Sequence, residues 1–328
     1  MSRPAQLSCP VCGDVLGDVD GSARCPAGHS FDYARSGYLN LTGSGGSGRV
    51  GDTKAMVVAR DEFLAAGHYR PIADAVAAAV AAADSGPLVE IGSGTGYYLA
   101  AAVECLEEAG GGLAASGLDL SKAAADRAAR RYPEIGFVVA DVEAEIPLPE
   151  ASVGVAISVF SPRPAAELGR VVRPGGELVV ALAGPRHLER LRDRLQLMKI
   201  HEDKLGLLNE RLAPWFLPIR TETVEYEIEL GAEDARRLVL MGPNAWHAVD
   251  LGALADGHAD LASVIVARYR RDPATAGAEG SRARRGRGGR AGRRRTGRRR
   301  RSRAQGRVPA RCWRRRRRPG RRAVRGRR

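Results

Sequence analysis

The sequence predicts an α/β protein whose main part is a doubly wound, mostly parallel sheet of seven strands, preceded by a small metal-binding module. Three observations point there. Between residues 88 and 182 short apolar runs alternate with stretches of helical length, the pattern of a sheet whose strands are buried on both faces. The first of these runs ends in a glycine-rich turn, Gly92-Ser93-Gly94-Thr95-Gly96. Three of the five cysteines fall within the first 25 residues, followed closely by His29.

Taken in order, residues 56–66 read as a helix and residues 71–83 as a second one, started by Pro71, whose fixed φ suits a first helical turn. Residues 88–91, 114–118, 137–140, 153–159 and 177–182 are strands. Between them, residues 97–108, 121–131 and 165–172 are helices, with Ser121 as a cap. Past Pro185 the rhythm changes: helical stretches at 187–198 and 203–213 precede an alternating strand at 223–230, and residues 261–269 form the last strand. The organisation expected is a module over residues 1–42, a joint and helices over 43–84 opened by the Gly/Ser run at 43–51, the α/β domain over 85–272, and a tail from 273 to 328.

The net charge of +14 suggests a nucleic-acid binder until it is divided along the chain. Twenty-five of the 52 basic residues lie in residues 281–328, which hold no acid, so residues 1–280 carry 27 basic against 38 acidic groups, a net −11. A tail this rich in Arg and Gly cannot bury apolar surface and reads as disordered and phosphate-seeking, or as GC-rich sequence translated past an altered stop or in a shifted frame. Function is therefore argued from residues 1–280. With 44% hydrophobic residues the chain can fill a core, and no apolar run approaches the roughly 20 residues of a membrane span. The N-terminus lacks the layout of a signal peptide, so the expected location is the cytoplasm.

Cys9-Pro-Val-Cys12 and Cys25-Pro-Ala-Gly-His29 form two short knuckles. Each brings two ligands to one side of a turn, and together they supply three thiolates and an imidazole, a closed tetrahedral set for structural zinc. Cys105 stands apart and reads as an apolar filler. Residues 1–60 hold six basic and five acidic groups, so composition gives the module no basic face.

In the turn after residue 91, Gly92, Gly94 and Gly96 let the backbone bend sharply and approach a ligand. Such a turn alone also fits a dinucleotide. Three acids favour S-adenosylmethionine: Glu90 in the strand before the turn, placed for the cationic methionine end; Asp119 ending the second strand, placed for the ribose hydroxyls; and Asp141 after the third, near the adenine. The fold expected is thus the Rossmann-like class I fold of S-adenosylmethionine-dependent methyltransferases.

Over residues 7–270 the chain resembles the bacterial 23S rRNA (guanine-N1)-methyltransferases, and particularly the tylosin-resistance branch. The resemblance rests on the zinc spacing with Gly28-His29-Ser30-Phe31-Asp32, on Gly37-Tyr38-Leu39-Asn40-Leu41, Gly51-Asp52-Thr53, Gly67-His68-Tyr69, Val159-Phe160-Ser161-Pro162-Arg163, Pro185-Arg186-His187-Leu188 and Met241-Gly242-Pro243-Asn244. It implies cofactor-pocket roles for Tyr69, Tyr98, Leu99 and His187, a module that holds RNA, and a loop guanine in domain II near the peptide exit tunnel as target. It further implies resistance to tylosin-type macrolides. Taken singly, Tyr69 and Tyr98 would be ordinary aromatics, His187 a cap residue and Trp246 an anchor between helices; their co-occurrence favours the pocket for Tyr69 and His187.

Guanine N1 must shed a proton, and no general base stands out. Asp52 and Glu62 are candidates, although each also reads as a solvated charge. A homodimer with RNA spanning both subunits is a further expectation. Two other classes fit part of the sequence. A methyltransferase of a small molecule or protein would keep the glycine turn but leave bare rRNA unlabelled, and a zinc-ribbon regulator would bind nucleic acid without binding S-adenosylmethionine.

Overall fold

A computed structural model of the chain describes residues 6–42, 48–83, 86–110, 114–247, 249–254 and 257–274; the arginine-rich tail and part of the Gly/Ser joint lie outside the described residues. The N-terminal region forms β1 (Gly17–Val19), β2 (Ser22–Arg24), β3 (Ser30–Asp32) and β4 (Leu39–Asn40). Helices α1 (Lys54–Ala65) and α2 (Arg70–Ala81) follow. The alternating part comprises β5 (Leu88–Ile91), α3 (Tyr97–Glu108), β6 (Ala115–Asp119), α4 (Lys122–Arg131), β7 (Gly136–Val139), β8 (Val153–Val159), α5 (Ala165–Val171) and β9 (Val172–Ala183). The chain closes with α6 (Glu189–Arg194), α7 (Lys204–Leu212), β10 (Phe216–Leu230), α8 (Ala232–Leu240) and β11 (His258–Arg271).

Strands β1 to β3 make a small antiparallel sheet, and the rest form one sheet in the order β10-β11-β9-β8-β5-β6-β7-β4. Its left part is antiparallel, β11 pairing with both β10 and β9, and every pair from β9 to β4 is parallel. The expected seven strands are present. The eighth, β4, comes from the N-terminal region and lies in register with β7, Leu39 opposite Val138 and Asn40 opposite Val139. The N-terminal region thus adds a strand to the edge of the large sheet. Leu7, Ala23, Leu39 and Leu41 share a core with Val138, Ile146 and Leu148, and the Ser8 amide donates to the Pro147 carbonyl at 2.9 Å.

Local chemistry sets the helix starts. Thr53 and Ser121 accept hydrogen bonds from the amides of Met56 and Ala124. Pro71 sits in the first turn of α2. On one face of the sheet Phe63, Ile72, Val76 and Leu99 pack over Val155 and Ile157; on the other Leu168, Val171 and Leu212 pack over Ala156 and Val180. Asp61, buried on α1, accepts from Arg127 at 2.7 Å and from Arg131 at 2.8 Å, tying α1 to α4.

Two expectations need correction. The helix expected over residues 187–198 is only α6, because Leu188 (φ 53°) and Gln196 (φ 51°) take the left-handed conformation that ends a right-handed helix on each side. Helix α8 was not expected, although Glu233 and Asp234 at its start and Arg237 near its end suit a helix dipole.

Because β6 and β8 flank β5 on opposite sides, the chain reverses its winding there, which opens a crevice beyond the carboxyl ends of these strands. Gly96 closes the turn after β5 at φ 77°, and a Cβ there would lie 2.7 Å from the Phe137 ring. Left-handed strain and overpacking together predict that Gly96→Ala costs about 2–4 kcal/mol, read as a lowered urea midpoint at unchanged m-value.

Candidate active site and metal centre

The metal centre is assembled by tight turns. In the first knuckle the Gly13 amide donates to the Cys9 carbonyl at 2.8 Å, and in the second Gly28 donates to Cys25 at 2.9 Å, both glycines at positive φ. The turns gather Cys9, Cys12, Cys25 and His29 so that their ligand atoms all lie within 4.8 Å of one another. Cys9 Sγ stands 3.6 Å and Cys25 Sγ 3.2 Å from His29 Nδ1, and Cys12 Sγ is 3.6 Å from Cys25 Sγ. A tetrahedral zinc with ligand bonds of about 2.0–2.3 Å spaces neighbouring donors roughly 3.5–3.8 Å apart, so this donor set suits one structural zinc ion.

At the crevice lies a cavity of about 930 Å³, within the usual range for a small-molecule site. Gly92 and Gly94 line it after β5, Asp119 after β6, Asp141 after β7 and Phe160 to Pro162 after β8, with Tyr69, Tyr98 and His187 on the far wall. Of the residues expected at the cofactor, Tyr69, Gly92, Gly94, Tyr98, Asp119, Asp141 and His187 are therefore together. Three others are not in the cavity wall. Glu90 is buried beneath the turn, where Oε2 accepts from the Leu99 amide at 3.1 Å and burial pushes its carboxyl well above the usual range. Leu99 is fully buried in the core, and Gly96 packs on Phe137. The reason is strand geometry: alternate residues of β5 face opposite sides of the sheet, and Glu90 lies on the side covered by α3. Its Oε2 holds the start of α3.

Asp119 holds the turn from the next strand. Its Oδ2 accepts from the Gly94 amide and its Oδ1 from the Ser121 amide, both at 2.8 Å, while burial raises its pKa. A segment outside the sheet covers this end: Arg49 pairs with Asp141 at 3.4 Å and Glu143 at 3.1 Å, and Arg60 pairs with Asp52 and donates to the Met241 carbonyl at 2.6 Å. Of the two candidate bases, Asp52 lines the cavity, whereas Glu62 is engaged with Arg237 of α8 at 3.0 Å and does not line it. Trp246 is 54% exposed in a short 3-10 turn, so it anchors no pair of helices.

On the far wall the Ser263 amide donates to His187 Nδ1 at 3.2 Å. That bond requires a bare Nδ1, so the neutral ring carries its proton on Nε2, which donates to the Tyr69 hydroxyl at 3.1 Å. Tyr69 is left with its own proton to donate. Beside this pair stands Phe160. It is 42% exposed, with its ring stacked on His187 at 6.0 Å and 6.1 and 6.4 Å from Tyr69 and Tyr98. Its backbone is left-handed (φ 50°), held there by Ser161, whose Oγ donates to the Ile91 carbonyl at 2.5 Å. A strained aromatic presented to a cavity is a signal of function that no spacing rule could give.

The family described as RlmA, N-terminal, matches residues 7–42, and a family of methyltransferase domains matches residues 88–176. A 23S rRNA (guanine(748)-N1)-methyltransferase of Streptomyces fradiae is 40% identical over 245 residues, 74% of this chain and 86% of its own length. A protein of Micromonospora griseorubida described with the same guanine-N1 activity on 23S rRNA is 39% identical over 290 residues, 80% of this chain and 97% of its own length.

Two outcomes are expected. Purified protein should release one equivalent of zinc to a chelator, and Cys12→Ser should release less while lowering the melting temperature by about 5 °C or more. Burial, reinforced by the Arg192 cation, pushes His187 down to about 4 from 6.5. The unfolded chain therefore takes up a proton between pH 6.5 and 4 that the folded chain refuses, and stability falls as pH drops through that window. On going from pH 7 to 4, the wild type should lose about 3 kcal/mol more than His187→Gln, measured by urea titration.

Proposed function

The chain belongs to the 23S rRNA (guanine-N1)-methyltransferase family, and from that premise we infer that it is an S-adenosylmethionine-dependent enzyme that methylates guanine N1 in 23S rRNA. The observation that carries this reading in the structure is the cavity at the ends of β5, β6 and β8, with its glycine turn held by Asp119 and an exposed aromatic opposite.

In this reading Gly92, Gly94, Asp119 and Asp141 hold the nucleoside end of the cofactor, and Tyr69, Tyr98 and His187 the methionine end, where the free Tyr69 proton suits a carboxylate. Bound S-adenosylmethionine supplies an electrophilic methyl on a sulfonium. The chain's task is to present guanine N1 in line with it, since positioning contributes much of the rate of such a transfer. The target base leaves its stack to reach the cavity, and Phe160 is the surface on which it rests. The N1 proton passes to a carboxylate of the wall or to water; of the two candidate carboxylates Asp52 reaches the cavity, where it pairs with Arg60. The zinc module, sharing its core with the sheet edge, holds the RNA outside.

The finer target we assign is the loop guanine of domain II corresponding to the one named for the Streptomyces fradiae relative. Methylation there accounts for resistance to tylosin-type macrolides as a consequence of the activity. Location in the cytoplasm fits an rRNA substrate, and none of the described helices is long and apolar enough to cross a membrane. Pairing of two copies around one RNA is the remaining expectation; sedimentation of the active enzyme decides it.

The test is methylation of unmodified 23S rRNA with labelled cofactor, mapped by reverse transcription. A single strong stop at the domain II loop guanine is expected, because N1-methylguanine cannot pair. Label in small molecules or protein but not in RNA would reverse the reading. Stacking of a base on an aromatic side chain contributes about 1–3 kcal/mol, so Phe160→Leu should lower kcat/KM for RNA by about tenfold or more, and Phe160→Tyr by little.

A further inference from the structure

The acids of the cavity are committed to its cofactor end. Asp141 and Glu143 pair with Arg49, Asp52 pairs with Arg60, and Asp119 accepts backbone amides. Beyond His187 the balance reverses. Arg192, Lys199, His201 and Lys204 line the other end of the same cavity with no acid among the lining residues there. Arg192 is tied to the carbonyls of His187 and Pro185. Among the described residues Lys204, and behind it Arg163 and Arg211, have no ion-pair partner.

Arg163 is the informative member. It follows Pro162 in the loop after β8, half-buried, and its Nη1 is buried without a hydrogen-bond partner. Desolvation lowers its pKa, and the Arg211 cation lowers it further; Lys204 is lowered in the same way by burial and then by Arg163. Arg163 thus stands near enough to both Arg211 and Lys204 for like charges to oppose across it. Lys204 and Arg211 lie seven residues apart on α7, hence on one side of that helix. Nearby polar groups are already engaged: the Tyr269 hydroxyl donates to Asn209 at 2.8 Å, and the Asp203 carboxylate caps α7 on the Gly206 amide at 2.9 Å. A desolvated guanidinium with an open donor and two cationic neighbours is costly in the free protein. An anion supplied from outside removes that cost.

We propose that Arg163, Lys204 and Arg211 form a phosphate-binding subsite that grips the backbone of the RNA strand beside the base in the cavity. The site rests on the rRNA-methyltransferase reading for the identity of the anion, a phosphodiester. In a body with net charge −11 over residues 1–280, a local cationic cluster that reaches the cavity through Lys204 also fixes where the strand enters. Arginine offers a planar fork for two phosphate oxygens, and lysine a point charge.

The test uses the full-length enzyme and an RNA hairpin carrying the target guanine, with Arg163→Gln, Lys204→Gln and Arg211→Gln. Each variant should raise KM for RNA by about five- to tenfold with kcat nearly kept, and should flatten the log–log salt dependence of RNA affinity by about 0.7–0.9 for each phosphate no longer neutralised. A hairpin with one methylphosphonate beside the target should lose activity with the wild type and lose nothing further with Arg163→Gln. Arg130→Gln, an exposed cation of α4 on another face, should change none of these. Without RNA, Arg163→Gln should melt at a higher temperature than wild type, since it relieves the like-charge crowding. Unchanged KM and salt slope in all three variants, or a lower melting temperature for both Arg163→Gln and Arg211→Gln, would overturn the subsite. If the wild type left the hairpin unmethylated, the family reading of the substrate would fail, and the melting comparison would still decide whether the cluster is a strained anion site.

Discussion

The buried carboxylate of Glu90 bonded to the Leu99 amide is the contact on which the site depends. The first amides of a helix have no partner within it, and those of α3 lie inside the protein, away from water. Glu90 Oε2 takes one of them at 3.1 Å. By doing so it fixes the start of α3 against β5 and sets the curvature of the glycine turn between them. Asp119 completes the hold from the neighbouring strand, with one oxygen on Gly94 and the other on Ser121, so a single side chain joins the turn after β5 to the start of α4. Two acids in adjacent strands thus shape the floor of the cavity, only one of them exposed to it.

Around that floor the cavity is divided by charge. Arginines from the segment before α2 neutralise the acids at one end and simultaneously tie this segment to residues 141–143 and 241. Aromatic rings from the turn before α2 and from the loop after β8 meet His187 in the middle, and Tyr98 of α3 meets the Phe160 ring. The histidine receives a backbone proton donor on one nitrogen and gives its own proton to Tyr69 from the other, so the direction of both ring hydrogen bonds is fixed by one amide of β11. An antiparallel strand at the far side of the sheet thereby sets the polarity of a group facing the cavity.

Much of this is legible in the sequence, for reasons that differ by element. The zinc ligands are readable because metal geometry demands particular residue types at short, fixed spacing. The strands from β5 to β9 are readable because burial on both faces makes each largely apolar, and Val153–Val159 and Tyr97–Glu108 begin and end where the pattern does. Glu90 shows the limit: its position before the turn identifies it as important, but which face of β5 it occupies depends on packing, and that face turns it to the first amides of α3. Leu188 and Gln196 show another, since nothing in a Leu or Gln announces a positive φ, and the amphipathic pattern runs straight through both. Strand β4 is two residues long, too short for any periodicity, and its place beside β7 is a matter of long-range pairing.

That short strand has a consequence for the behaviour of the whole molecule. Without Leu39 and Asn40 the parallel sheet would end at β7, whose four residues are all buried and include Phe137, Val138 and Val139. An uncovered apolar edge strand with open amides and carbonyls is a template for pairing with another chain. The metal knuckles, by holding the segment that supplies β4, therefore act as a guard on the sheet edge, and the zinc ion protects against self-association at a border some distance from any chemistry it takes part in.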